Sequence, residues 1–466
     1  MEQNSKKAVF ETMPVPKALA TMAIPTIISQ IINLIYNIVD AYFIGRTGNS
    51  YMMAATSLTL TIMMMTIAFS NLFGVGGGSL IARLLGQKKD GEAKAVSAFS
   101  IYGAVTISIL YSLLIGLFLD PILRMLGASD ATIGFAREYT ILVIVIGCLP
   151  TILSATMAHL LRNAGYSKQA GFGLSLGGVL NIILDPLFMF VILPEGREVY
   201  GAALATLLSN VSSFCYLLFT VCRVSKAANL SVDPRDVFKI GKTNTKKLFS
   251  VGVPSAILTG LFDVANVVLN MLAAGHNDFV LAAIGIVMKI ERLPNAVNIG
   301  LSQGMLPIVA YNYSSGNRER MKETIRTARI FGLSIAAACI VLFEIFANPL
   351  TSMFLNTAKD NAQEAIRTLA YAVIFLRLRC LAAPFQFINY HTSFCMQAMG
   401  KGFHTMLHAT VRELVFYIPY MYLLNGLFGE NGLAFALVAG EFCGAMFALY
   451  LLNRNLKKDQ SLSMAV

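Results

Sequence analysis

The sequence predicts an all-α integral membrane protein, with twelve transmembrane helices in two six-helix pseudo-symmetric lobes around a central cavity. Three observations support this fold class. Of the 466 residues, 56% are hydrophobic and only 13% are charged, whereas soluble globular domains carry about 25% charged residues. Apolar runs of transmembrane length recur along the whole chain, and the second half of the chain repeats motifs of the first.

The spans follow one another from the N-terminus in windows of about 20 residues, the length that crosses a bilayer as a helix. The first apolar run, Ala18 to Ile44, is too long for the apolar core of a signal peptide and is expected to remain as a spanning helix. The predicted centres are Ile31, Met64, Ile107, Val143, Gly178, Ser212, Leu261, Pro294, Ala336, Phe375, Tyr417 and Val438.

The basic residues predict the orientation of these spans. If the N-terminus is cytoplasmic, 25 lysines and arginines fall in inner segments and 4 in outer loops. Such an excess marks the cytoplasmic side, so both termini should be cytoplasmic. The net charge of +11 is spread over short clusters between apolar runs, which argues against a nucleic-acid partner. Seven cysteines without a C-x-x-C pair indicate no disulfide framework and no zinc site.

An internal repeat divides the chain into two halves that run in the same direction through the membrane. Ile24-Pro25 corresponds to Val253-Pro254, and each pair is expected to open a span; residues 49–55 correspond to 277–283. The predicted segments are a cytoplasmic tail (1–13), an N-lobe with the first six spans (14–224), a basic cytoplasmic linker (225–247), a C-lobe with the last six spans (248–453) and a second cytoplasmic tail (454–466).

Three predicted spans carry an acid with asparagines on the same helical face. Such groups must face the protein interior, because a charge in the bilayer costs at least about 2.5 kcal/mol. One reading is structural, with each acid bound to amides to hold helices together. The other is a coupling site, at which the acid binds H⁺ or, with neighbouring oxygen atoms, Na⁺. The three groups are Asn33, Asn37 and Asp40 beside Gln30 and Tyr36; Asn181 and Asp185 before Pro186; and Asp263, Asn266 and Asn270.

Several motifs make the chain similar to a known family. Residues 38–48, 82–88, 162–165, 181–186, Pro307, 311–313 and 316–317 resemble the multidrug and toxic compound extrusion (MATE) family, in its bacterial branch of multidrug exporters. The resemblance extends from about Pro14 to Asn455. It implies a V-shaped pair of six-helix lobes in a bacterial cytoplasmic membrane, and export of organic cations in exchange for H⁺ or Na⁺. It also implies no organic cofactor and no enzymatic activity, and we expect a monomer.

The resemblance also implies roles for individual residues. Asp40, Asp185 and Asn181 match the cation site of the family's N-lobe. The hydrogen-bonding neighbours fall at Tyr36, Tyr139 and Thr206, with Asn37 nearby, and Asp263 with Asn266 matches an acid that many members carry on the seventh span. The tenth span offers Arg377 and Arg379 where some Na⁺-coupled members have a second acid, which favours N-lobe coupling and H⁺ over Na⁺.

Four further patterns give weaker predictions. Asn33, Met64, Asn270 and His391 are candidates for a substrate cavity, and His391 is placed near a span end where it could titrate. Gly74 to Ser79 indicates close helix packing rather than a phosphate loop, because no strand precedes it. The charged cluster Lys289 to Arg292 indicates a cytoplasmic or cavity rim, with a role in substrate binding as the alternative. Glu413 and Glu441 are expected in interhelical pairs.

Two alternatives to a cation-coupled drug exporter remain open at this point. A flippase or exporter of a lipid-linked or metabolite substrate would need basic residues such as Arg377 and Arg379 to face the central space. A membrane-embedded enzyme would need a converging nucleophile, acid or metal site, and the sequence offers no such set.

Overall fold

The computed structural model describes the backbone of residues 2–354 and 362–463, and the side chains of residues 7–261, 264–354 and 363–459. Within these ranges all regular structure is helical, as predicted. The helices are α1 (Glu2–Glu11), α2 (Val15–Arg46), α3 (Ser50–Gly86), α4 (Asp90–Leu117), α5 (Leu119–Met125), α6 (Ile133–Thr140), α7 (Cys148–Asn163), α8 (Ser167–Leu187), α9 (Glu198–Ala228), α10 (Pro234–Val237), α11 (Gly241–Ala274), α12 (Asp278–Ser314), α13 (Arg318–Ser352), α14 (Ala362–Cys380), α15 (Ala383–Ala398), α16 (Gly402–Thr410), α17 (Ile418–Phe428) and α18 (Glu430–Ser463).

In the described ranges, eight of these helices are long and apolar enough to cross a membrane. The count rises to ten when two bent pairs, α6 with α7 and α14 with α15, are each taken as one span. The other two predicted spans lie in α12 and in the helical stretch from α16 to α17, which carry more polar residues. The number twelve therefore stays a prediction, while every predicted centre falls in helical structure or in one of the bent pairs.

The internal repeat is visible in the local structure of the two halves. The fourth predicted span bends by 47° at its break, and its counterpart, the tenth, bends by 49°. Asn49 and Asn277, which correspond in the sequence, occupy equivalent positions before α3 and α12. Each caps its helix by accepting a hydrogen bond from a backbone N–H group: 3.0 Å to Tyr51 and 2.9 Å to Val280. The repeat therefore preserves helix starts and bends as well as apolar spans.

One predicted feature is wrong in detail. Pro25 and Pro254 do not open their spans, because α2 begins ten residues earlier, at Val15, and α11 begins at Gly241. Both prolines lie inside long helices. Proline leaves one carbonyl without its helical donor, and a long helix tolerates that loss where neighbouring helices pack against the site.

Each lobe has its own apolar core, and a third cluster joins the lobes at one end. The N-lobe core extends from Ile44 to Ile240 and also includes Leu248 of α11, and the C-lobe core extends from Ala265 to Leu437. The joining cluster includes Leu19 and Ala23 of α2 together with Leu301 and Met305 of α12. Helix α3 packs on α11, and α2 packs on α12. Toward their other ends these helices expose large side chains, such as Tyr42 and Met271.

The predicted close packing at Gly74 to Ser79 is confirmed where α3 meets α11. A Cβ atom on Gly76 would lie 2.7 Å from the carbonyl oxygen of Leu248, which is closer than real Cβ contacts allow. Polar bonds reinforce the same end: Arg162 of α7 donates to Gln303 of α12 at 3.1 Å, and Gln30 of α2 donates to the same oxygen at 3.4 Å. The lobes thus meet through both small residues and buried hydrogen bonds.

The lobes are connected by residues 229–240, which include the short helix α10. The adjoining helices α9 and α11 extend into the predicted linker from both sides, so the part outside these two helices is shorter than 225–247. Asp236 accepts hydrogen bonds from Lys239 at 2.7 Å and from the Ser231 hydroxyl at 2.6 Å. These two bonds, with the Lys239 charge, lower the pKa of Asp236.

Candidate functional site

The N-lobe gathers a buried polar group from four helices, α2, α6, α8 and α9. Asp185 on α8 is fully buried, and its Oδ1 atom accepts a hydrogen bond of 3.0 Å from the Asn181 amide one turn earlier. The same amide lies 3.4 Å from the Thr206 hydroxyl on α9. Tyr139 on α6 lies close enough to Thr206 for the two side chains to interact. A single chain of polar contacts therefore connects three helices.

Asp40 on α2 completes this group. It lies near enough to Asp185 for the two carboxyl groups to interact electrostatically, and both acids also act on Tyr36 and Tyr139. The close approach of α2 and α8 depends on Gly178, because a Cβ atom there would lie 2.7 Å from the Ile32 side chain. The small residue lets the two acid-bearing helices pack side by side.

Three oxygen atoms of this group accept no hydrogen bond. They are Oδ1 of Asp40, Oδ2 of Asp185 and Oδ1 of Asn181, and all three are buried. Buried polar atoms in proteins are nearly always satisfied, so such a cluster needs an explanation. No lysine or arginine forms a described ion pair with either acid. The cluster therefore presents acceptors to which a proton or a small cation could bind.

A cavity of about 390 Å³ adjoins the polar group on the side of the inter-lobe cleft. Tyr36, Asn181 and Thr206 line it, whereas Asp40 and Asp185 do not, so Asp185 communicates with the cavity through Asn181. The size falls within the range of small-molecule pockets. The acids and the cavity are thus neighbouring but separate parts of one site.

The predicted polar stripe of α2 faces this cavity. Asn33 and Asn37 both line it, and the Asn37 amide donates to Asn33 Oδ1 at 3.0 Å. Met64, a predicted cavity residue, also lines it together with Met63. The structure therefore brings together seven predicted coupling residues and two of the four predicted substrate residues in one lobe. Their roles in binding stay predictions.

Two other predicted cavity residues lie elsewhere. His391 lies in α15, the second half of the bent tenth span, and is fully buried, so its titration near a span end stays a prediction. Its Nε2 atom is 3.0 Å from the carbonyl oxygen of Ile325, a contact that fixes the ring between α15 and α13. Asn270 is exposed on α11 and does not line this cavity. Sequence spacing could not reveal either placement, because both depend on how the C-lobe helices are rotated.

The predicted acid on the seventh span cannot be placed in the same way. The side chain of Asp263 lies outside the described residues, and its neighbour Asn266 is partly buried on α11. A contribution of these two residues to coupling stays a prediction. Among the described side chains, no group of three or more His, Cys, Asp or Glu residues converges on a metal position.

The C-lobe contains its own buried charges, and arginines pair with them. Arg379 on α14 binds Glu291 on α12 through two hydrogen bonds, at 2.9 and 2.8 Å. Arg412 contacts Glu441 on α18 at 2.8 Å and Glu413 at 3.2 Å. The predicted interhelical pairing of Glu441 is confirmed, while Glu413 pairs with the adjacent residue. The charges of the two arginines were visible in the sequence, but their partners were not.

The fold and the buried polar site define a two-lobed, multi-pass membrane transporter. Comparison with known proteins agrees with this class. The MatE family profile matches residues 25–187 and 254–423, one segment in each lobe. The chain therefore belongs to the MATE family, whose members are transporters and not enzymes.

Curated relatives and solved structures cover almost the whole chain. The chain is 31% identical over 455 residues to the multidrug export protein MepA of Staphylococcus saprophyticus, covering 97% of each sequence. It is also 31% identical over 458 residues to MepA of Staphylococcus haemolyticus, again covering 97% of each.

An outward-facing multidrug resistance MATE transporter superposes with a TM-score of 0.90 at 22% identity, covering 98% of each chain. A MOP superfamily transporter from Pyrococcus furiosus gives 0.88 at 22% identity, covering 97% of each. These structures establish the fold, and the relatives establish a drug efflux transporter.

Proposed function

We propose that this transporter is an antiporter that exports organic cationic drugs and toxic compounds by alternating access, driven by entry of H⁺ in preference to Na⁺. The observation that carries the proposal is the set of three buried acceptor oxygens on Asp40, Asp185 and Asn181. These oxygens belong to one group that contains two acids, and a bound positive ion would supply their missing partner.

The energetics favour reversible binding of an ion there. An unpaired carboxylate inside a membrane protein costs at least about 2.5 kcal/mol, and a bound proton removes that cost by neutralising the charge. Two acids close together add mutual repulsion, which a shared cation also relieves. Na⁺ would require several further oxygen ligands around Asp40 and Asp185, whereas a proton needs only one acceptor. This difference, together with arginines on the tenth span, favours H⁺.

The cycle follows from the requirement that drug and ion stabilise different conformations. A cation from outside binds at Asp40 and Asp185, which reorganises α2 and α8 and weakens drug binding in the adjoining cavity. After the cation leaves to the cytoplasm, cytoplasmic drug enters the cavity. Each elementary charge moved inward contributes about 2.3 kcal/mol per 100 mV of membrane potential.

The proposed location is a bacterial cytoplasmic membrane, with both termini cytoplasmic and the protein acting as a monomer. The predicted inner segments carry 25 lysines and arginines and the predicted outer loops carry 4, which supports this orientation. The lobes meet near Ala23, Gly76 and Met305, at the ends of helices that join predicted cytoplasmic segments. On this orientation the cavity is closed toward the cytoplasm.

The alternative of a flippase for an anionic lipid-linked substrate receives less support. It would require Arg377 and Arg379 to present free charges to the central space. Arg379 is 5% exposed and bound by Glu291, and Arg377 lies 3.6 Å from Glu344. The Arg379 guanidinium is therefore not free, and neither arginine lines the described cavity.

Transport in proteoliposomes tests the proposal. Export of a cationic dye should follow an imposed inward H⁺ gradient, respond weakly to a Na⁺ gradient and disappear in Asp40→Asn. Asp236→Asn, in the linker, is the matched control and should transport normally. Gradient-driven export at the normal rate in the Asp40 variant would contradict the proposal, and export driven by Na⁺ alone would reassign the ion.

A further inference from the structure

One charged side chain lines the N-lobe cavity, and it is basic. Arg292 lies in the middle of α12, so it reaches the cavity from the opposite lobe. All the other lining residues are neutral. A charged side chain in the middle of a predicted span is expected to serve a function, since the bilayer penalises it. The cavity that is proposed to accept cations therefore presents a positive charge on its wall.

Among the side chains that the structure describes, no acid neutralises Arg292. The adjacent carboxylate, Glu291, is bound through both oxygens by Arg379, at 2.9 and 2.8 Å. Among the described residues, none of the ion pairs includes Arg292, and its side chain is exposed toward the cleft. The N-lobe acids Asp40 and Asp185 do not line the cavity. No ion pair within the described part of the chain therefore competes with a cargo group for this guanidinium.

The rest of the lining divides by chemistry. Leu60, Met63, Met64 and Ile67 give an apolar surface, and thioethers adapt to bodies of different shape. On α2, Asn33 and Asn37 provide amide oxygens that suit the cationic end of a molecule. A planar guanidinium binds a carboxylate or an enolate through two parallel hydrogen bonds, a geometry that neutral side chains do not reproduce.

We propose that Arg292 determines cargo specificity by binding an anionic group, so that the preferred cargo is a flat amphoteric molecule with an acidic group as well as a cationic one. The proposal rests on the drug-export function and refines its substrate class. A simple cation would meet a positive charge that no described residue of the cavity compensates, and a zwitterion would pair with it.

A pair of xanthene dyes that differ only in a carboxylate provides the test. One dye carries the free acid and the other is its ethyl ester, which is purely cationic. We expect Arg292→Gln to weaken binding of the acid but not of the ester, so the ratio of KM for the acid to KM for the ester should rise about tenfold. This rise corresponds to the loss of one charge-assisted contact of about 1.4 kcal/mol. Arg292→Lys retains the positive charge but cannot donate two parallel hydrogen bonds, so it should give a smaller rise in this ratio.

Lys289→Gln is the matched control, because Lys289 is an exposed cation on the same helix outside the cavity lining. It should leave the ratio unchanged. An unchanged ratio in Arg292→Gln, or an equal loss for both dyes, would overturn the proposal and assign Arg292 to lobe movement.

Equilibrium binding of the same dyes to the detergent-purified protein, measured by fluorescence polarisation, separates this proposal from the export mechanism. If wild-type protein fails to couple export to any ion gradient, the antiport proposal fails, yet the acid-to-ester affinity ratio still reports on Arg292. If the Arg292→Gln variant does not fold, Arg292→Lys supplies the comparison. If the Arg292 variant has the wild-type acid-to-ester ratio both in binding affinity and in KM for transport, the anionic contact is excluded.

Discussion

The two lobes share one helical architecture but treat their buried acids differently. In the N-lobe, Asp40 and Asp185 have no arginine or lysine partner among the described residues, and acceptor oxygens remain unsatisfied. In the C-lobe, Glu291 and Glu441 each contact an arginine at 2.8 Å. Pairing fixes a charge permanently, whereas an unpaired acid can take up and release an ion. On the proposed function, we expect the N-lobe to couple ions and the C-lobe network to hold its helices together.

The largest effect is expected from neutralising an N-lobe acid. Asp185→Asn should reduce ion-driven export by a factor of about 100 or more, because the ion loses its charged ligand. The thermal midpoint in detergent should not fall, since no ion-pair partner is left unpaired. Export from proteoliposomes and a thermal unfolding curve check both halves of this prediction. A large loss of stability would show that Asp185 has a structural role, which would weaken the contrast between the lobes.

The opposite behaviour is expected in the C-lobe. Glu291→Gln leaves the buried Arg379 without its partner, which should cost about 3–5 kcal/mol of unfolding free energy. The double variant Glu291→Leu, Arg379→Met should recover much of that loss, because it removes both charges. Unfolding in SDS measures the free energies, and transport per folded molecule is measured in parallel. If Glu291→Gln folds stably but no longer couples ions, the C-lobe must also belong to the coupling machinery.

An intermediate effect is expected at the amide that connects the acid to the cavity. Asn181→Ala removes the donor to Asp185 and Thr206, and we expect the rate of ion-driven export to fall about tenfold, corresponding to about 1.4 kcal/mol. Asn244→Ala, in a hydrogen bond to Glu92 near the linker, is the control. Equal rates in the Asn181 variant and in wild type would show that the polar chain is dispensable.

The smallest effect should come from Glu413. Arg412 contacts two glutamates, so Glu413→Gln still leaves it paired with Glu441. The change in unfolding free energy should stay within about 1 kcal/mol, and the pH dependence of export should be unchanged. An altered pH profile with normal stability would identify the surplus negative charge of this network as a second proton site.

The sequence predicted the local parts of the candidate site well. Spacing of four residues placed Asn181 and Asp185 on one face, and they are hydrogen-bonded at 3.0 Å. The same reasoning placed Asn33 and Asn37 together, and both line the cavity. Periodicity succeeds in these cases because residues three or four apart on a helix are always neighbours. The positions of Tyr139 and Thr206, in contrast, came from family resemblance rather than from spacing.

The amino-acid sequence by itself determined the spans, the repeat, the charge bias and the polar helical faces, because these are properties of composition and short-range periodicity. Tertiary structure alone decided which acid would be paired. Glu291 meets Arg379 across 88 residues, and Arg292, its neighbour in sequence, faces the other lobe's cavity. Ion-pair partners depend on the rotation and tilt of packed helices, and a rotation of 100° between adjacent residues separates a structural charge from one exposed to cargo.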